Sequence, residues 1–346
     1  MSTTFAPERV DQVSAWLQQR PGRVRVVGSG TQQHELPGSG DAAQLELRRL
    51  SAIERLDPGD LTCTVLPGLP RHELDAALAE HALELPCLGG GTIGGLFAGD
   101  PIGAAANGAG NPRGLLLGCD AVLADGTVFK AGARVVKSVA GFDVHKLLVG
   151  SRGTLFVATR LHLRLQARPR ALRWIERSGL EVEAALRLCR ELRTLAAPPD
   201  VLVLQRGDDG AYAVRARLVG RARLIDADAA RLELRECEPA APKALTSTNG
   251  GEVVRGLALP SALAGLCAAL PQRAAFTWFG GGRFEATSPD QPTTDRLLAW
   301  CAANGCPATI VAGAAPRRGH GTPLDPGEAR LAQGLRTALD PDGIFV

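Results

Sequence analysis

Residues 89–95 read Gly-Gly-Gly-Thr-Ile-Gly-Gly, and two more small-residue segments follow, Gly141-Phe142-Asp143 and Gly150-Ser151-Arg152-Gly153-Thr154. Glycine loses more backbone freedom on folding than any other residue. A chain that concentrates it in one region needs its main chain close to something, and an elongated anionic cofactor is the leading candidate. Within the run, Gly91, Thr92, Ile93, Gly94 and Gly95 form the core of the signal. Thr92 can donate a hydrogen bond, and Gly94-Gly95 can open a short helix whose N-terminus favours phosphate. A purely structural glycine loop is the competing reading.

Upstream, Gly28-Ser29-Gly30-Thr31-Gln32-Gln33 follows an apolar run that reads as a strand, Arg23 to Val27. A dinucleotide fingerprint fails there: Gln33 holds the third glycine position, and Pro37-Gly38 stop a proper helix from following. A P-loop fails as well, because no Gly-Lys-Ser or Gly-Lys-Thr stands in the required place. What remains is a tight loop whose successive amides and Ser29 and Thr31 hydroxyls can form an anion nest. An ordinary surface turn is the alternative.

Composition narrows the classes. With 346 residues, one large or two ordinary domains are expected. The 39 basic and 36 acidic residues are interspersed and leave a net charge of +3, which argues against an electrostatic nucleic-acid footprint. The first twenty residues are polar and carry no apolar signal core. Leu257 to Leu270 is too short to span a bilayer, contains Pro260, and reads as a strand end followed by a buried helix. A soluble, cytoplasmic protein is expected, with peripheral membrane attachment through a partner left open. The eight cysteines are scattered without a Cys-x-x-Cys pair and read as small buried hydrophobes, so no metal or iron–sulfur site is expected on this chain.

Periodicity divides the chain in two. In the first part, strands are expected at Gln44 to Leu47, Leu61 to Leu66, Leu115 to Leu123, Thr127 to Lys130 and Thr154 to Leu165. Asp125-Gly126 marks a hairpin turn, and a helix is expected from Pro70 to about His81. After Gln166 to Arg170 the composition shifts. Helices are expected at Glu181 to Leu195, Ala227 to Leu234, Ala262 to Leu270 and Thr293 to Asn304. They are interleaved with strands at Val201 to Gln205, Tyr212 to Leu218, Val253 to Leu259, Ala274 to Phe279 and Arg283 to Ala286. The pattern implies an antiparallel sheet with helices on one side. A last helix, Gly327 to Leu339, can return to the first domain.

From Gly91 to Leu165 the sequence resembles, without an obvious gap, the FAD-binding subunit of glycolate oxidase, within the vanillyl-alcohol-oxidase type of flavoprotein. The residues that carry it are Gly91 to Gly95, Ala98, Gly103, Arg113, Gly118, Val136 to Val144, and Gly150-Ser151 with Gly153-Thr154-Leu155. Weaker echoes are Trp278 to Phe284, Pro307-Ala308-Thr309 and the closing Asp340-Pro341-Asp342-Gly343-Ile344-Phe345. The resemblance implies an α+β chain: a two-subdomain PCMH-type FAD-binding domain over 1–168, an antiparallel-sheet-plus-helices cap over 169–325, and a helix over 326–346 that returns to the first domain. It implies noncovalent FAD, with Gly28, Ser29, Gly30, Thr31 and Gln32 at the pyrophosphate and Gly91 to Gly95, with Ala98, along the pyrophosphate and flavin. Asp143 would stand near the cofactor, and Gly153, Thr154, Leu155 and Val157 near its adenosine half. Asp143 can equally be a helix N-cap before Val144, and Lys137 a solvated surface lysine.

The implied partners are a catalytic FAD subunit and an iron–sulfur subunit, and the implied substrate is a small 2-hydroxy acid. No catalytic residue is assigned, because the six histidines show no paired spacing. Arg317-Arg318-Gly319-His320-Gly321 could pair a carboxylate or simply be a flexible basic loop, and Cys87 lies close enough to the glycine run to raise a covalent flavin link, although noncovalent FAD is favoured. Two departures from the compared subunits support another class of function, a scaffold that has lost FAD: Ala104-Ala105-Ala106 replaces Pro-Arg-Arg, and Phe156 replaces a glycine near the cofactor. A stand-alone FAD oxidase is the third reading, and the sparse supply of bases counts against it.

Overall fold

In the computed structural model, the residues described are 3–30, 41–87, 89–99, 111–133, 142–207, 209–238, 245, 251–271 and 273–346. The chain opens with β1 (Thr4–Phe5), α1 (Val10–Gln18), β2 (Val24–Val27) and β3 (Ala43–Glu46). These strands form a three-stranded sheet in the order β1-β3-β2, with β3 parallel to both neighbours. Val13 and Leu17, four apart on α1, are fully buried against Val24, Leu45 and Leu47. The sequence reading assigns no element before residue 23, so α1 is an addition from the structure.

Next come β4 (Ile53–Asp57), β5 (Thr62–Val65), α2 (Arg71–Ala79), β6 (Leu83–Glu84), α3 (Ile93–Ala98) and α4 (Pro112–Leu115). They are followed by β7 (Leu116–Val122), β8 (Val128–Gly132), a 3-10 helix (Val144–Leu148), β9 (Val157–Arg164) and β10 (Gln166–Ala167). Five of these strands build an antiparallel sheet in the order β4-β5-β9-β7-β8. Cys63, Val65, Cys119, Ala121, Leu161 and Leu163 put one face of it under α2 and α3, with Leu74, Leu78, Leu96 and Phe97 completing the core. The opposite face is polar: Arg160 is held by Glu54 at 2.6 and 3.0 Å, and Thr64 meets His162 at 3.0 Å. The β7–β8 hairpin turns at Gly126 (φ 84°), where the Asp125 carboxylate accepts from the Thr127 N–H at 2.8 Å.

The second half contains β11 (Ala171–Leu180), α5 (Val182–Arg193), β12 (Val201–Arg206), β13 (Tyr212–Gly220), α6 (Ala222–Arg231) and β14 (Arg235–Glu236). It continues with β15 (Glu252–Leu257), α7 (Leu263–Ala269), β16 (Phe276–Phe279), β17 (Arg283–Ser288), α8 (Gln291–Ala303) and β18 (Ala308–Ala312). Its eight strands make one antiparallel sheet in the order β14-β11-β13-β12-β16-β17-β15-β18. Leu202, Leu204, Val214, Trp278 and Phe284 pack with Leu188, Leu192, Leu266 and Leu297 of the helices. Expected and observed helices differ most at α6, which begins five residues before Ala227. Its end is set locally: Glu233 takes φ 54°, and the N–H groups of Glu233 and Leu234 bond to the carbonyls of Ala230 and Ala229.

The last helix, α9 (Pro326–Leu339), has no buried residue, although Leu339 touches the core beneath the five-stranded sheet. The tail beyond it does return. Asp340 accepts from the N–H groups of Ile344 and Phe345, both at 2.8 Å, and Phe345 pairs with Val24 at the free edge of β2. The closing Asp-Pro-Asp-Gly sequence is therefore a carboxylate-capped turn that delivers one more extended segment to the first sheet.

Candidate functional site

A cavity open to solvent lies between the end of β2, the start of α3 and the segment that leads into β9. One wall is Val26, Val27, Gly28, Ser29 and Gly30. A second is Gly90, Thr92, Gly94, Gly95, Ala98 and Gly99. Leu148, Arg152, Gly153, Phe156, Val157 and Ala158 close it, with Leu47 and Pro67 at the base. The glycine segments of the sequence, more than 50 residues apart, therefore meet around one space.

Each wall has a local cause. β2 ends at Gly28, and the Thr92 hydroxyl, itself buried, takes the volume that a methyl on Gly28 would need. That hydroxyl also caps α3, accepting from the Gly95 N–H at 3.3 Å. Gly94 lets α3 lie against the Pro67 backbone, since a Cβ there would come within 2.9 Å of the Pro67 carbonyl oxygen. The 148–153 segment is tied to the end of α3 by N–H bonds from Gly150 to Phe97 and from Arg152 to Ala98, at 3.2 and 2.9 Å. Lys146 anchors it from behind, its ammonium donating to the carbonyls of Arg113 and Leu116. Burial lowers the Lys146 pKa.

Of the residues expected at a cofactor, the structure brings Gly28, Ser29, Gly30, Thr92, Gly94, Gly95, Ala98, Gly153 and Val157 to the cavity wall. Thr31 and Gln32 lie outside the described residues, as do Ala104 to Ala106 and Lys137. Gly91 is not in the wall; its carbonyl accepts from the Arg71 N–H at 2.9 Å. Ile93 is fully buried in the core. Thr154 donates its hydroxyl to the Ser151 carbonyl, and Leu155 packs on the core. Asp143 is exposed ahead of the 3-10 helix and makes no side-chain capping bond. Sequence reasoning misses Leu47, Pro67, Leu148 and Arg152, which reach the cavity only through tertiary packing.

Several side chains take structural places. Phe156 is 1% exposed and sits edge-on to Phe129, ring centroids 5.4 Å apart. Its ring belongs to the core and also borders the cavity. Arg317 is engaged by Glu252 at 3.0 Å and Asp295 at 2.6 Å, and Arg318 by the Gly313 carbonyl. The Arg317-Arg318 segment, which the sequence left open as an anion site or a flexible basic loop, is held by ion pairs and a carbonyl instead. All eight cysteines are free; burial pushes the Cys87 thiol up to about 11, and its sulfur faces the Arg71 guanidinium at 3.6 Å. Among the described residues, no three His, Cys, Asp or Glu side chains converge as a metal site would require, and no helix is long and apolar enough to cross a membrane.

Residues 2–132 match the family described as FAD binding domain. This region is similar to that FAD-binding family. The cavity fits the group: small residues expose main chain on two sides, aliphatic side chains offer surface to a flat ring, and Arg152 supplies a positive charge. The D-lactate dehydrogenase [cytochrome] 1 of Saccharomyces cerevisiae is 33% identical over 42% of this chain and 25% of its own length. Glycolate oxidase subunit GlcE of Escherichia coli is 33% identical over 37% of this chain and 38% of its own. Glycolate oxidase subunit GlcD of Bacillus subtilis is 31% identical over 48% and 37%. The chain thus spans between 22% and 38% of the length of these and the other leading curated relatives. In fold, a solved alkyldihydroxyacetonephosphate synthase superposes on 99% of this chain and 76% of its own, with a TM-score of 0.71 at 13% identity. The whole chain, the eight-stranded sheet included, therefore shares the fold of that enzyme.

Proposed function

We propose that the chain is an FAD-dependent oxidoreductase subunit that oxidises a small 2-hydroxy acid, or relays its electrons, within a glycolate-oxidase-like assembly. The observation that carries this reading is the cavity in which Gly28 to Gly30 and the start of α3, both inside the region that matches an FAD binding domain, converge with the 148–158 segment beyond it. Relatives named as glycolate oxidase subunits and D-lactate dehydrogenases support the substrate class.

Bound FAD supplies the hydride and electron chemistry, and the protein supplies binding and orientation. In this reading the turn at Gly28 to Gly30 and the main chain of Gly94 and Gly95 hold the phosphate-bearing part of the cofactor. Leu47, Leu148, Phe156 and Val157 exclude water from its apolar part. Among the described residues, the cavity wall contains no His, Asp or Glu. A base for the substrate hydroxyl therefore comes from outside this wall, which favours a subunit that works with a second, catalytic FAD subunit. Iron–sulfur centres in such an assembly belong to a third subunit, because the cysteines here are dispersed and largely buried. In this reading the chain works in the cytoplasm, with any membrane attachment made through its partners.

The test is the visible spectrum of the purified chain, followed by denaturation and filtration. A flavin spectrum with release of free FAD into the filtrate is expected. A colourless protein that FAD does not reconstitute would return the scaffold reading. Reduction of the bound flavin by glycolate or D-lactate is expected only when the partner subunits are present; rapid turnover by the chain alone would instead make it a stand-alone oxidase.

A further inference from the structure

α9 carries an apolar stripe that its own chain leaves largely uncovered. Leu331, Leu335, Ala338 and Leu339 recur at helical spacing and share one side. At the C-terminal end Leu339 touches the core beneath the five-stranded sheet, and Leu335 is half-buried. Toward the N-terminal end the stripe runs into solvent: Leu331 is 66% exposed, and Leu324, just ahead of the helix, 59%. Intrinsic propensity does not account for a helix in such a place. A helix of 14 residues is marginal in water, and Gly334 weakens its interior further. Helices of this length are held by burying their apolar side.

The charges beside the stripe point to what covers it. Glu328, Ala332 and Arg336, each four residues from the next, form one ridge, and all three are exposed. Among the described residues, neither the Glu328 carboxylate nor the Arg336 guanidinium has an ion pair or hydrogen bond within the chain. They stand about 12 Å apart along the helix, too far to pair with each other, since helical ion pairs form at spacings of three or four. We infer that α9 docks, antiparallel, on α9 of a second copy of this chain, about a two-fold axis at Ala332. That axis sets each Glu328 level with Arg336 of the other copy, so the two opposite charges become two intermolecular pairs. The small Ala332 lets the helices approach, and Leu331 and Leu335 of both copies pack alongside. A parallel pair would set like charges together. The contact is isologous and uses no residue of the cavity wall, so it stands apart from the FAD reading. The helix is about 21 Å long; one crossing covers less than the roughly 1,000 Å² of a stable interface, and the dimer is a weak one.

The experiment is sedimentation of the full chain from about 1 μM to about 1 mM. The wild type should pass from monomer to dimer within that range, and L331Q should stay monomeric. E328R and R336E each place like charges across the axis and should weaken the dimer about tenfold. Mixed in equal amounts, these two variants should form a heterodimer, because the surplus charges of one meet the opposite surplus of the other. The double variant E328R/R336E should regain self-association. All variants should keep the wild-type melting temperature in dilute solution, because the three changed side chains are not buried in the monomer. A wild type that stays monomeric throughout would overturn the inference, and so would a dimer that survives L331Q. Charge variants that mixing does not rescue would exclude the antiparallel pairing. A monomeric wild type whose L331Q variant loses a co-purified partner subunit would give α9 to a different chain and equally overturn it.

Discussion

The hydroxyl of Thr92 occupies the space that a methyl group on Gly28 would need, and the same hydroxyl caps α3 through the Gly95 N–H. One oxygen therefore sets the separation of two cavity walls that lie more than 60 residues apart in the chain. Gly28→Ala should force Thr92 out of its capping rotamer and cost about 1–3 kcal/mol, the usual scale of overpacking. Thr92→Ala alone should cost about 1 kcal/mol for the lost cap. Because the second change removes the atom that the first one strikes, the double variant should be less destabilised than the sum of the two. Chemical denaturation of the four proteins measures this coupling, and strict additivity would show that the two walls do not depend on each other.

Phe156 separates a steric from a structural account of one departure from the compared subunits. Buried at 1% exposure against Phe129, it should behave as a core residue. Phe156→Ala should destabilise the protein by about 3–5 kcal/mol. A rise in FAD affinity with little change in the melting temperature would mean instead that the ring obstructs the cavity.

His145 is 2% exposed, and among the described residues its Nδ1 has no hydrogen-bond partner. Its pKa lies below the usual 6.5, first because of burial and then because of the neighbouring Lys146 and Arg113 charges, with Asp143 acting the other way. Below pH 6.5 the unfolded chain takes up a proton at this residue that the folded chain resists. Stability should therefore hold above 6.5 and fall as the pH drops from there toward the lower folded-state value. In a melting series against pH, His145→Gln should lose this part of the acid sensitivity. A series parallel to that of the wild type would place the sensitivity elsewhere.

Arg217 and Asp200 form a buried ion pair on the eight-stranded sheet, at 8% and 5% exposure. Asp200→Ala strands the guanidinium and should cost about 3–5 kcal/mol. The pair between Arg49 and Glu8 has a comparable contact, 2.7 Å, but both side chains are more than 60% exposed, and Glu8→Ala should cost under about 1 kcal/mol. Denaturant midpoints compare the two directly; similar losses would show that burial does not set the scale here.

Much of the fold is legible in local pattern. β5, β7 and β8 follow from alternation and from Asp125-Gly126, because a two-residue turn and a period of two act over only a few residues. β11 escapes that reading. Its residues 171–180 are apolar on both faces, with Ile175 turned to the large core and Trp174 to the smaller cluster opposite, and charged between them. Glu176 is placed by Arg215 at 2.7 Å, a partner 39 residues away. The amphipathic pattern of α9 has the reverse outcome: it predicts a helix correctly and says nothing of what covers it, and in the structure Leu331 is 66% exposed.

By itself the sequence marked the glycine-rich segments at 28–30, 91–95 and 150–153 as places where main chain can come close to an anionic ligand, because side-chain loss and loop chemistry are local properties. Only the tertiary structure decided what each glycine does. Gly94 admits Pro67 and Gly28 admits Thr92, so these two positions let protein meet protein and so shape the cavity. It also brought Arg152 to the wall and moved Ile93 into the core. The physical reason is distance: close packing between residues tens of positions apart leaves no trace in the spacing along the chain.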